Sequence, residues 1–230
     1  MHLGNSLMFD RHEPQVISAF EKAGINYKKI NPQIREYYLK IVEFDTFVGN
    51  LIDKLNSMGI LDKTLIVFFP DHYNYGLNPN VLEDYIGISA FDKEIHHNKL
   101  LILDGKTYNT DINDRQYIDT LCCSIDLTPT ILNMVLGIEN VEYKYYFGKD
   151  IFDGGPRIVA FSDITVFDGE MFLHADGSFL YVGDEPLTEE ELQAKFYDLS
   201  QNQINVIKQF EISKAVLEMD YYKYLKEKNS

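Results

Sequence analysis

The stretch "LIVFFPDHYNYGL", Leu65 to Leu77, decides how this chain is read. Its first half, with Thr64 in front, is an unbroken apolar run. A continuous rather than alternating run is the pattern of a strand covered on both faces, as in a parallel sheet with helices on either side. Pro70 cannot donate to a central ladder, so the strand should stop there. Asp71 and His72 follow at once. On a regular strand, neighbouring side chains point to opposite faces. Past Pro70 that constraint lapses, and a carboxylate and an imidazole could converge on one ion at the carboxyl edge of the sheet, where open α/β folds bind ligands. Such a pair suits Mn, Zn or Fe and tolerates Mg. Taken alone the spacing is a weak signal, and a turn aspartate beside a satisfied histidine is the plainer alternative.

Upstream, "NPQIREYYLKIVEFDTFVGNLIDKLNSMG" repeats Ile34, Tyr38, Ile41, Phe44, Val48, Ile52 and Leu55 at steps of three and four, which predicts a long amphipathic helix. Asn31 and Pro32 stand where a cap and a first helical residue belong, and Gly59 can end it. Helix, short loop and apolar strand make an α/β rhythm. From Asn74 to His97 the chain reads as irregular, with short helical possibilities only. "KLLILDG" is a second buried strand, and "SIDLTPTILNMVLG" a helix with Thr128 as cap, Pro129 at its first position and Gly137 past its end. Between Arg157 and Gly183 the pattern alternates and breaks at Asp168-Gly169 and Asp176-Gly177, predicting a small antiparallel sheet. The tail from Thr188 to about Lys226 is helical. The expected division is therefore 1–155, the larger α/β part, and 156–230, a small sheet and helical tail of the same domain.

A formal charge of -15 argues against nucleic acid, whose phosphates would be repelled over most of the surface, and it gives no help with an anionic membrane. An anionic substrate would need a cation to offset this field. Cys122 and Cys123 are adjacent, closer than a relaxed disulfide allows, and read as small buried residues. No run of about 18 apolar residues offers a membrane span. Met1 leads straight into "HLGNSLMFD" without a signal-peptide pattern, so the expectation is a cytoplasmic protein or an excerpt from a longer chain.

Of the other histidines, His96-His97 reads as solvated or as closing over the site, and His12 and His174 read as surface residues. Glu43 and Asp45 lie two apart on the long helix and read as solvated charges. Neither a Gly-rich phosphate loop nor a G-x-S-x-G elbow is present.

The order of these features resembles the lipoteichoic acid synthase-like phosphoglycerol transferases, a branch of the alkaline phosphatase and sulfatase superfamily. The likeness rests on "VEFDTFVGNLIDKLNSMGILDKTLIVFFPDHYNYGL", then "NKLLIL", "SIDLTPTILNMVLGI" and "YYFGKDIF", and runs from the first residues to about Phe172. It implies a three-layer α/β sandwich with a mostly parallel sheet, followed by the small antiparallel sheet and C-terminal helices. In such enzymes the Asp-His pair after the strand holds a catalytic divalent cation, Mn2+ or Mg2+, which falls on Asp71 and His72. A histidine that ends a short strand and contacts the substrate's phosphoryl group falls on His2. The family's nucleophile, a threonine beside another acidic ligand, has no counterpart here, nor have its membrane helices.

The resemblance thus implies the C-terminal half of a catalytic domain that sits on the extracellular face of the cell membrane. Its partner would be the upstream half of the same domain, and its only membrane attachment the absent N-terminal helices. The implied reaction moves glycerol phosphate from an anionic lipid such as phosphatidylglycerol to a glycan or lipid acceptor, in two displacements at phosphorus. His2 would donate to an oxygen of the transferred group. The 230 residues alone are expected to be inactive. Two rivals stay open: a sulfatase- or phosphatase-type ester hydrolase, and a non-catalytic binding module on the same fold.

Overall fold

The structure is a computed structural model of the 230-residue chain, and it describes residues 6–73, 75–87, 89, 92–108, 115–137, 139 and 146–228. Two compact units divide it, Met1–Arg115 and Gln116–Ser230. The junction expected at 155–156 lies inside the second of these.

In the first unit, α1 (Ser6–Lys22) packs along α2 (Pro32–Ser57) through Val16, Phe20, Tyr27 and Leu39, with the ring of Phe20 edge-on to Tyr38 at 4.9 Å. The start of α2 follows its sequence. The Asn31 side chain accepts from the Gln33 amide at 2.9 Å, and Pro32, which has no amide hydrogen to satisfy, takes the first position. A second tie joins the two helices. His12, expected at the surface, is 3% exposed and bonds Glu43 through Nε2, while Arg11 reaches the same carboxylate at 3.5 Å. A lone histidine cannot be placed from sequence when its partner lies 31 residues away.

The lower half of α2 covers β1 (Leu65–Phe68): Ile52, Leu61 and Ile66 are buried together, with Val48, Leu51 and Leu55 against them. β1 pairs with β2 (Leu101–Asp104) and the pair is antiparallel, Leu65 opposite Asp104 and Phe68 opposite Leu101. The mostly parallel sheet expected from the apolar run and from the resemblance is not shown. Among the described residues, β1 belongs to a two-stranded antiparallel sheet and one of its edges is open. An unbroken apolar run reports that a strand is covered, but it carries no information on the direction of its neighbour. Where β2 ends, Gly105 lies so close to the Leu61 carbonyl that a β-carbon would overlap it. The connection between the strands includes α3 (Pro79–Ile86), capped by Asn78 and closed by Gly87 at φ +75°.

In the second unit, α4 (Leu127–Leu136) ends at Gly137, φ +87°. Its start differs from expectation. A 3-10 turn, Ser124–Asp126, leads into it, so Asp126 takes the cap position and Thr128 is already helical. The small sheet forms as expected, in the order β3 (Val159–Ala160), β4 (Val166–Phe167), β5 (Met171–Leu173) and β6 (Phe179–Tyr181), all antiparallel. Both Asp-Gly breaks are tight turns: Asp168 Oδ1 accepts from the Glu170 and Met171 amides, and Asp176 Oδ1 from that of Ser178. Thr188 and Glu191 cap each other at the start of α5 (Glu189–Glu218), whose Leu199 and Val206 bury against Val166, Met171 and Leu173. After Val206 no described residue of α5 or of α6 (Tyr221–Lys228) is buried. No helix among the described residues is long and apolar enough to cross a membrane.

Candidate metal site

β1 stops at Phe68, two residues before Pro70, and the chain bends at Asp71 and His72. The segment that follows is anchored. Leu77 is buried with Ile34, Leu82 and Ile95, and the Tyr73 ring packs against that cluster. This fixes the Tyr73 carbonyl, which accepts a hydrogen bond from His72 Nδ1 at 2.6 Å. The Tyr75 ring lies 4.3 Å from the imidazole, centre to centre, and Tyr73 meets His96 edge-on at 5.1 Å. His72 is thus gripped by a carbonyl on one side and an aromatic ring on the other.

That grip sets the chemistry of the other ring nitrogen. A carbonyl only accepts, so Nδ1 carries the hydrogen, and in the neutral imidazole Nε2 presents a lone pair. Nε2 lies 3.3 Å from Asp71 Oδ1, which as a carboxylate oxygen also only accepts. Two lone-pair atoms at this distance need a positive species between or beside them, a proton or a metal ion. Two ligand atoms on bonds of about 2.1 Å, meeting at 90–109°, are separated by about 3.0–3.4 Å. The observed spacing fits one edge of a coordination shell as well as an ion pair with a proton between the two atoms. A histidine ligand whose second nitrogen donates to a backbone carbonyl is also the usual outer arrangement at metal centres. Asp71 is 82% exposed at its side chain and His72 30%, so the pair opens outward. Carboxylate and imidazole therefore fit a borderline divalent cation.

Asp71 and His72, the two residues expected from the sequence to ligate a metal, stand 3.3 Å apart. His2 lies outside the described residues. Among the described residues, no group of three or more His, Cys, Asp or Glu side chains is gathered as a metal cage. Tyr73 stood out from sequence only as the third residue of the Asp-His-Tyr motif, with no role of its own, and Tyr75 was not singled out. The signal for Tyr75 was the alternation of aromatic residues directly after the Asp-His pair.

The "DLTPT" and "FGKD" motifs form a second polar centre. Asp126 accepts from the Cys123 amide at 2.9 Å and the Lys149 amide at 2.7 Å, and Arg157 Nη1 stands 3.8 Å from it. Thr130, 1% exposed, donates to the Asp126 carbonyl at 2.6 Å and accepts from the Ile151 amide at 3.0 Å. Asp150, fully buried, accepts from Asn133 and from the Phe152 amide. These bonds clamp the start of α4 to the loop after Tyr146. Cys122 and Cys123 are free and half-buried. Burial, and then the Asp126 charge, push the Cys123 thiol up to about 11, and the same two causes raise Cys122.

A carboxylate and an imidazole side by side past a strand end, in a mixed α/β chain, make a candidate divalent-cation site. The Sulfatase family model matches residues 8–138, more than half of the chain, and the chain belongs to that family, within the alkaline phosphatase and sulfatase superfamily. The family is enzymatic, and members of the superfamily are metal-dependent. No curated protein and no solved structure gives a significant match.

Proposed function

We propose that Asp71 and His72 are two ligands of the catalytic divalent cation, Mn2+ or Mg2+, of a phosphoglycerol transferase of the lipoteichoic acid synthase kind. The observation that carries this reading is the 3.3 Å approach of two lone-pair atoms, with His72 held in the ligating tautomer. When bound, the cation supplies positive charge to phosphoryl oxygens and lowers the pKa of a hydroxyl nucleophile. Asp71 and His72 orient that charge at the strand end, the Tyr73 carbonyl and the Tyr75 ring hold the imidazole, and His2 donates to an oxygen of the transferred group. The substrate is an anionic glycerophospholipid, the acceptor a glycan or lipid, and the place of action the extracellular face of the cell membrane.

The remaining ligands and the nucleophile come, in this reading, from the upstream half of the same catalytic domain. Two features support a missing neighbour. Part of the apolar stripe of α2 stays uncovered: Ile41 and Phe44, with Phe47 beside them, are exposed by 39–54%. The open edge of β1 would accept a further strand, and a larger mixed sheet would then include this pair.

The family match favours a second reading, ester hydrolysis, because its name is that of sulfate-ester hydrolases. Binding of Mn2+ to the chain, followed by electron paramagnetic resonance, tests the site itself. The expected result is weak binding that Asp71→Asn and His72→Gln each abolish without changing the circular dichroism. Binding that survives both substitutions, or none at millimolar Mn2+, overturns the assignment. Incubating the chain with phosphatidylglycerol, and separately with aryl sulfates and phosphates, is expected to give no turnover. Turnover would place a nucleophile within these residues, and its substrate would choose between transfer and hydrolysis.

A further inference from the structure

The free edge of β6 and the groove beside it make an unassigned surface in the second unit. β6 pairs only with β5 among the described residues. The Ser178 carbonyl and the Val182 amide bond toward β5, at 2.9 and 2.7 Å. By alternation Leu180 points the same way, and the amides and carbonyls of Phe179 and Tyr181 face the open edge. No bulge, proline or lysine guards this edge, the usual means of blocking pairing. On the α5 side of the strand, Phe179 meets Phe196 edge-on at 5.8 Å. There a groove of about 440 Å3 opens between Phe179, Leu192, Gln193, Phe196, Tyr197 and Ser200. A side chain on an added fifth strand that faced as Phe179 and Tyr181 do would enter it. Phe179 is 45% exposed and Tyr197 64%, so the entrance is apolar and open.

Charge selects the occupant. Between Arg157 and Lys195 the chain carries nine carboxylates and no lysine or arginine. Lys195 itself is held by Asp168 and Glu170 at 2.7 and 2.8 Å. Asp176, Asp184, Glu185 and the three glutamates that open α5 flank the strand and the groove. A second copy of this edge would bring the same carboxylates against themselves, and an anionic lipid would meet them too. We propose that the β6 edge binds an extended basic peptide segment, which adds as a fifth strand and places one large apolar side chain in the groove. Backbone bonds to Phe179 and Tyr181 give the affinity, and the acidic rim selects lysine or arginine on either side of the anchor.

Fluorescence anisotropy with the 230-residue chain tests this. The probe is a labelled peptide with Val-Phe-Val between two pairs of lysines. One control has Gly-Gly-Gly between the same lysines, and another has glutamates in place of the lysines. The expected result is saturable binding of the probe, weakened at least about tenfold in either control and by Phe179→Lys or Tyr197→Ala. Added salt should weaken it further. Both side chains are exposed, and circular dichroism confirms that each variant is folded. Equal binding of the Gly-Gly-Gly control, or binding unaffected by both substitutions, would show charge attraction alone and overturn the proposal. Concentration-dependent dimerisation lost in Phe179→Lys would give the edge to a second copy. Quenching by phosphatidylglycerol micelles in place of peptide binding would give the groove to lipid. Either outcome also overturns it.

Discussion

Asp126 and Lys149, 23 residues apart, are joined by a 2.7 Å bond from the Lys149 amide to the Asp126 carboxylate, and this bond closes the loop onto the start of α4. The same carboxylate holds the Cys123 amide and faces the buried Arg157 guanidinium. Asp126→Ala leaves two amides without their acceptor and a buried guanidinium, still bonded to backbone carbonyls, without its counter-ion. Urea denaturation should show a loss of about 3–5 kcal/mol, the range for breaking a buried charged pair. A loss below about 1 kcal/mol would mean that water replaces the carboxylate there.

Gly148 shares this clamp. A β-carbon on it would overlap the Ile125 carbonyl and stand 2.8 Å from the Asp126 amide. Gly148→Ala must displace backbone rather than a flexible side chain, and should cost about 1–3 kcal/mol in the same denaturation experiment. The control is Gly154→Ala, whose added carbon meets nothing within 4 Å. Equal stability of the two variants would refute the close approach.

Lys40 on α2 is 6% exposed and its Nζ has no hydrogen-bond partner. Burial lowers its pKa, opposed by the Glu36 charge. An amine whose folded pKa lies below its unfolded value binds fewer protons when folded, so its cost is greatest at low pH and fades as pH rises through that interval. Lys40→Met should therefore stabilise the protein by about 1–2 kcal/mol at pH 7, with a gain that shrinks toward pH 10. Thermal melts across pH would detect the opposite trend as readily.

The Cys123 thiol, pushed from 9.0 to about 11, should alkylate slowly at pH 8 and faster with each unit of pH up to about 11. The folded protein keeps the thiol proton that the unfolded chain releases near pH 9. Stability contributed by the thiol is complete below pH 9 and lost as pH rises through 11. Iodoacetamide labelling followed by mass spectrometry reads the first effect, and Cys123→Ser, measured on both sides of pH 9, reads the second.

How much of this was legible in the sequence depended on the range of the interaction. α2 was readable because its apolar spacing, Asn31-Pro32 and Gly59 are all local to the helix. So were the two Asp-Gly turns, where each aspartate bonds amides two or three residues on. The end of β1 before Pro70 was readable too, because a proline cannot donate to the ladder. The pairing of β1 was not readable, because its antiparallel partner lies beyond a long connection and leaves no mark on "LIVFF". His12 failed for the same reason, its carboxylate being on another helix. "DLTPT" and "FGKD" could be recognised as words of a family. That they are two halves of one clamp became visible only when Thr130 and Asp126 were seen to bond the second motif's amides.

The thirty residues of α5 are one unbroken helix, about 45 Å long, yet its last buried residue is Val206, the eighteenth. Such a helix is a cantilever. Its fixed end shares the stability of the sheet, while its free end has only its own backbone bonds and neighbouring side chains, which by themselves hold a helix marginally. Amide exchange should accordingly accelerate stepwise from Val206 toward Glu218, so that one continuous helix reports two stabilities along its length.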